Sequence, residues 1–88
     1  MENCGTWTIQ VPVSEENKMV LETALTGFVG STFEPIAVAT QIVNGVNYIF
    51  IAKSTTVTLP PKTGLAKIYV TAVPAGQEPR LVNIETIV

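Results

Sequence analysis

The sequence predicts an α+β fold in which one helix packs across a curved antiparallel sheet. The 88 residues contain one amphipathic helical pattern among β-rich segments, in the order β-α-β-β-β-β. The connections between the later β segments are short, which favours antiparallel neighbours because parallel strands need long crossovers. A helix with one apolar face must bury that face, and the sheet is the partner available.

Composition indicates a single domain spanning residues 1–88. The chain is 47% hydrophobic and 14% charged, so it has enough apolar surface for a core. Its net charge of −2 provides no basic surface, and we expect neither a nucleic acid nor a membrane as partner. No apolar run reaches the ~20 residues of a membrane span. The one cysteine, Cys4, excludes an intramolecular disulfide.

The first β segment runs from Thr6 to Val13, after a flexible N-terminal trunk at residues 1–5. Trp7 and Ile9 share one face of this segment, and we expect Trp7 to face the core because tryptophan is mostly buried. Pro12 cannot donate to a sheet ladder, so the strand ends there or lies on an edge.

The helix is predicted to start after Ser14, a good N-cap that is followed by two glutamates favoured by the helix dipole. Its body is expected at 17–29, with Gly30 as C-cap, although Gly27 in the last turn favours an end a few residues earlier. The helical spacing of its apolar residues gives one stripe, formed by Leu21, Ala24, Leu25 and Phe28.

Four further β segments are expected at 33–41, 46–57, 65–73 and 80–88. Asn44-Gly45 separates the first two and favours a two-residue hairpin turn, since both residues tolerate positive φ. Proline and glycine mark the loops at 59–64 and 74–79.

No pattern of residues suggests catalysis. The chain has no histidine, and its single thiol has no candidate base nearby. The sequence contains neither a phosphate-binding glycine loop nor metal-ligand spacing, and its glutamates are scattered. We therefore expect a protein that is not an enzyme and that uses no cofactor and no metal.

One motif resembles a known family. The residues Gln41, Ile42, Val43, Asn44 and Gly45 fit the Gln-x-Val-x-Gly pattern of the cystatins, in the first hairpin after the helix. Val46-Asn47-Tyr48 is similar to the Thr-Asn-Tyr that usually follows in that family. The lack of disulfides and of a secretory signal resembles the stefin-like, intracellular branch. A signal trimmed beforehand would leave no trace in the sequence.

The resemblance implies a cystatin-like fold and a reversible, tight-binding inhibitor of papain-like cysteine proteases. In that family three elements form a wedge that fills the active-site cleft. Carried over to this chain, these elements are Gly5 of the trunk, Gln41–Gly45 of the first hairpin, and Val73 with Pro74 of the second. The resemblance also implies a cytoplasmic location.

Other functions stay open. A cystatin-like sheet can serve as a non-inhibitory interaction or adaptor module, since apolar sheet surfaces attract partners. A small-molecule site on the concave sheet is less favoured, because the helix is expected to fill that face. We expect a monomer with a tendency to domain-swapped dimers, since a β-branched Val43 at the hairpin tip suggests strain.

Overall fold

One helix and five strands occur in the predicted order in a computed structural model, which describes residues 6–88. The strands form one antiparallel sheet whose spatial order follows the chain. The elements are β1 (Trp7–Gln10), α1 (Glu15–Ala24), β2 (Ser31–Val43), β3 (Gly45–Thr56), β4 (Thr63–Ala72) and β5 (Arg80–Thr86). The predicted α+β class is confirmed. The trunk at 1–5, including Gly5, lies outside the described residues.

The inner face of the sheet carries the core, beneath the helix. Val38, Phe50 and Ile68 are direct cross-strand partners, so their side chains point to the same face. Phe50 and Ile68 are fully buried. The buried hydrophobic cluster consists of Val13, Leu21, Val38, Phe50, Ala52, Ala66, Ile68 and Val70. Leu21 is the one member from the helix, which therefore docks through the predicted stripe.

The helix begins as predicted but ends early. The Oγ of Ser14 accepts a hydrogen bond from the Asn17 N–H at 3.2 Å, as an N-cap does. The last helical residue is Ala24, so the predicted body at 17–29 is wrong in its second half. Gly27 adopts φ +85°, which a right-handed helix cannot contain. Phe28 is consequently outside the helix and 42% exposed.

The sheet is long and irregular at two points. The register shifts between Pro35 and Ala37 in β2, and again beside Tyr69 in β4, where β5 has an extra residue. Such bulges bend a sheet and increase its twist. The molecule measures 51 × 23 × 21 Å. At about 3.3 Å per residue, β2 spans roughly 40 Å, so the hairpin tip lies near one end of the molecule.

Trp7 contradicts its sequence-based prediction. It pairs with Gln41 and lies on the outer face, opposite the helix, where it is 39% exposed. There it lines a shallow groove of about 250 Å³ together with Ile49 and Tyr69. Alternation in β1 correctly grouped Trp7 with Ile9, but alternation does not show which face a core covers.

Within residues 6–88, no helix has the length and apolar character that crossing a membrane would require.

Candidate functional site at the hairpin tip

The tip between β2 and β3 is tighter than a two-residue turn. Val43 pairs directly with Gly45, which leaves Asn44 alone at the apex. Gly45 has φ +122°, whereas no residue other than glycine has positive φ within 6–88. The prediction of positive φ at Asn44 is therefore wrong. Val43 does not have a left-handed backbone either, and the tendency to domain-swapped dimers stays a prediction.

Gly45 brings the first hairpin against the start of the next connection. A Cβ built on Gly45 would collide with the Ala72 carbonyl oxygen and would lie 3.0 Å from the Val73 Cα. Both the positive φ and this close approach require glycine. The predicted site residues of the two loops are thus brought together at one end of the sheet. We call this end, formed by Gln41–Gly45 with Val73 and Pro74, the tip end.

A row of polar side chains crosses the sheet just behind the tip end. The Asn47 Nδ2 donates to the Gln41 Oε1 at 2.9 Å, and the Thr71 hydroxyl donates to the Asn47 Oδ1 at 2.7 Å. The three residues are direct cross-strand partners on β2, β3 and β4. The row therefore joins the strands that carry both loops.

Sequence reasoning did not assign a role to Asn47 or Thr71. Asn47 belongs to the continuation of the motif, and no local pattern marks Thr71. Which of these residues face each other depends on the strand register. The turn type of the first hairpin could have indicated the pairing of Asn47 with Gln41, but not the pairing of Thr71 with Asn47.

The connection between β4 and β5 forms its own turn. The Gln77 N–H donates to the Pro74 carbonyl oxygen at 3.1 Å, and Gly76 has φ +91°. A four-residue turn with positive φ at its third residue favours glycine there. An Arg80 guanidinium nitrogen lies 3.5 Å from the Val73 carbonyl oxygen and closes the loop. Val73 is half-buried and Pro74 is exposed.

The tip end carries no charged side chain, and its apolar residues lie beside the amides of Gln41 and Asn44. Ile42 is 64% exposed and Asn44 is exposed, while Val43 and Gly45 are half-buried. The nearest charged residues along the second loop are Glu78 and Arg80. Burying this surface against a partner would therefore leave no unpaired charge from Gln41–Gly45.

Two titratable side chains behind the tip end, Tyr48 and Lys67, have raised pKa values. Burial raises the pKa of Tyr48 above its ordinary value of 10.0. The interaction of Lys67 with the neighbouring Tyr69 side chain, with a further contribution from the Glu85 carboxylate, raises the pKa of Lys67 above 10.5. Both groups therefore keep their proton at neutral pH. Among residues 6–88, no group of three His, Cys, Asp or Glu side chains could hold a metal ion.

The start of β1 lies beside the tip end. Trp7, its first residue, pairs with Gln41, the first residue of the predicted motif. The trunk residue Gly5, the third predicted element, belongs to residues 1–5 and is outside the described part of the chain.

Comparison with family models, with curated proteins and with solved structures found no match to this chain. Any function must therefore be argued from the chain's own residues.

Proposed function

We propose that this protein is a cystatin-like, reversible inhibitor of papain-like cysteine proteases, which inserts its tip end into the active-site cleft. The contact of Gly45 with Ala72 and Val73 carries the proposal, because it joins the two predicted binding loops into one blunt edge. The one-helix, five-strand antiparallel architecture is compatible with a cystatin-like fold.

The shape and surface of the tip end suit a groove. Ile42 projects from it with 64% of its surface exposed, and Pro74 is exposed on the adjoining loop. Apolar side chains of this kind contribute by leaving water, while the uncharged tip avoids the cost of burying an ion.

Rigidity supports the proposal as well. The polar row of Gln41, Asn47 and Thr71 ties the hairpin to β4, so little conformational freedom remains to be lost on docking. A hairpin tip held in this way offers a protease a turn instead of an extended segment. The protein would then obstruct the cleft without being cleaved. Gly5 would add the trunk contact that the family resemblance implies.

A papain inhibition assay tests the proposal. Sub-micromolar reversible inhibition by the full chain is expected. Ile42→Asp should raise the inhibition constant by about 100-fold, because an unpaired charge in a docked interface costs a few kcal/mol. Val57→Asp is the matched control, since Val57 is 69% exposed at the other end of the hairpin. It should inhibit as the unaltered chain does.

The alternative is a non-inhibitory interaction module built on the same sheet. No inhibition at tens of micromolar by a folded chain would favour that alternative and reject the protease proposal. Equal losses in Ile42→Asp and Val57→Asp would reject the tip end as the binding surface.

A further inference from the structure

Asn44 and Gly45, at the apex of the first hairpin, form a dipeptide that favours a covalent change. Asparagine is among the thermolabile residues, because the backbone nitrogen of the next residue can attack its side-chain carbonyl carbon. A side chain on the next residue shields that nitrogen, whereas glycine has no Cβ. Asn44 is the one asparagine of the chain that a glycine follows. The sequence therefore favours this reaction at one position.

The structure leaves the Asn44 side chain free to react. Val43 and Gly45 pair with each other, so Asn44 is the single apex residue that no ladder pairing includes, and it is exposed to water. The Asn44 side chain forms no hydrogen bond with any other residue of 6–88. Its amide can therefore turn towards the Gly45 nitrogen without breaking a hydrogen bond to that part of the chain.

The other asparagines that the structure describes are held in helix or sheet. Asn17 lies in α1, where its Nδ2 donates to the Gln10 Oε1 at 3.0 Å. Asn47 lies within β3 and uses its amide in both bonds of the polar row. Asn83 lies within β5, in the ladder with β4. Each is followed by a residue with a long or bulky side chain, so none of them combines the features of Asn44.

We propose that Asn44 is a site of spontaneous deamidation, and that the reaction switches the tip end off as the protein ages. The Gly45 backbone nitrogen loses its proton to hydroxide and forms a bond to the Asn44 side-chain carbonyl carbon. The bond from that carbon to the amide nitrogen breaks, and the nitrogen takes up a proton from water and leaves as ammonia. A five-membered imide remains at the apex.

Water then opens the imide at either of its two carbonyl carbons. Opening at one carbon leaves an ordinary aspartate at position 44, and opening at the other passes the main chain through the side chain as isoaspartate. Overall, the reaction consumes one water and releases one ammonia, and it needs no oxidant and no reductant. Both products carry a carboxylate where the hairpin apex had a neutral amide.

Each product changes a property on which docking of the tip end depends, a consequence that rests on the proposed inhibition. The carboxylate would be the first charged side chain of the tip end, and burying an unpaired charge is costly. Isoaspartate also adds a methylene to the backbone between Val43 and Gly45. Because Gly45 lies against the Ala72 carbonyl oxygen with no room for a Cβ, a longer apex would displace the two loops from each other.

Incubation of the full chain in mildly alkaline buffer, followed by tryptic digestion and mass spectrometry, tests the site itself. Cleavage after Lys18 and Lys53 releases residues 19–53, a peptide that contains both Asn44 and Asn47. The mass shift from amide to acid should appear at Asn44, with isoaspartate among the products, before Asn47 changes. Asn44→Gln, which would have to close a larger ring, should leave this peptide unmodified over the same period. Equal conversion at Asn44 and Asn47, or none at Asn44, would overturn the site.

A papain inhibition assay on the modified protein tests the switch separately. The modified fraction carries one more negative charge, so anion exchange separates it from the unmodified protein. It should inhibit about tenfold or more weakly than fresh protein, and freshly made Asn44→Asp should show a loss from the charge alone. Incubated Asn44→Gln should inhibit as it does when fresh.

The two assays separate the possible failures. Modified protein that inhibits as well as fresh protein would overturn the switch. A chain that inhibits neither fresh nor incubated would reject the proposed function and the switch together. A mass shift at Asn44 in that chain would still support the modification site.

Discussion

The side-chain amide of Asn47 donates a 2.9 Å hydrogen bond to the side-chain oxygen of Gln41, its direct partner across β2 and β3. Because Thr71 in turn donates to Asn47, this pair is the centre of a connection between both loops of the tip end. Asn47 is thus the residue through which the two loops keep a fixed spacing.

We expect Asn47→Ala to lower the free energy of unfolding by about 1–3 kcal/mol, because two half-buried partners lose their hydrogen bonds. Thr71→Val should cost about 1 kcal/mol, and the double variant should cost less than the sum of the two. Urea unfolding of the two single variants and the double variant measures this coupling. Strict additivity would show that the hydrogen bond between Thr71 and Asn47 contributes no stability.

Substitution of Gly45 should cost more folding stability than substitution of Gly76. Both have positive φ, +122° and +91°, but only at Gly45 would a Cβ collide with backbone. We expect Gly76→Ala to cost about 1–2 kcal/mol from the backbone conformation alone, and Gly45→Ala to cost clearly more. Thermal or urea unfolding of both variants gives the comparison. Similar losses would mean that the two loops do not press on each other at Gly45.

The helix should be held to the sheet mainly through Leu21. This side chain is 2% exposed, whereas Met19 on the same helix is 64% exposed. Leu21→Ala is expected to cost about 2–5 kcal/mol of unfolding free energy through the cavity it leaves. Met19→Ala, the control, should change it by less than about 0.5 kcal/mol. A small loss at Leu21, measured by urea unfolding, would contradict helix docking as described.

Stability should fall at alkaline pH, partly through Tyr48. Burial raises its pKa above 10.0 in the folded state, so its contribution is fully present below that value and is lost as the pH rises through the folded pKa. Lys67 acts in the same direction above 10.5, because its raised pKa reflects contacts made by the protonated form.

Phenolate absorbance measures the effect directly. The chain has two tyrosines, so Tyr69→Phe leaves Tyr48 as the only phenol that titrates. Its midpoint should lie above 10.0 in the folded protein and return to that value in urea. A folded midpoint at or below 10.0 would contradict the burial described for Tyr48.

Local chemistry explains which parts of the fold were predictable. Ser14 and the glutamates after it marked the start of the helix, because a cap depends on adjacent residues alone. The apolar stripe continued to Phe28 and favoured a longer helix, whereas Gly27, which has a left-handed backbone, indicated the earlier end. Trp7 was assigned to the wrong face for a related reason: alternation gives two faces without showing which one the helix covers.

The candidate site likewise has one part that the local sequence predicts and another that depends on strand pairing. The motif at Gln41–Gly45 could be read directly, whereas the contact of Gly45 with Ala72 depends on pairing between β3 and β4. The polar row involves residues from three strands, which no local pattern brings together.

Leu59, in the connection between β3 and β4, is 97% exposed and belongs to the end of the molecule away from Asn44. A surface attachment or a fluorophore introduced at that residue would leave the hairpin tip pointing into solution, separated from the support by most of the 51 Å length of the sheet. The elongated sheet would therefore keep the hairpin tip accessible to a binding partner when the protein is attached through residue 59.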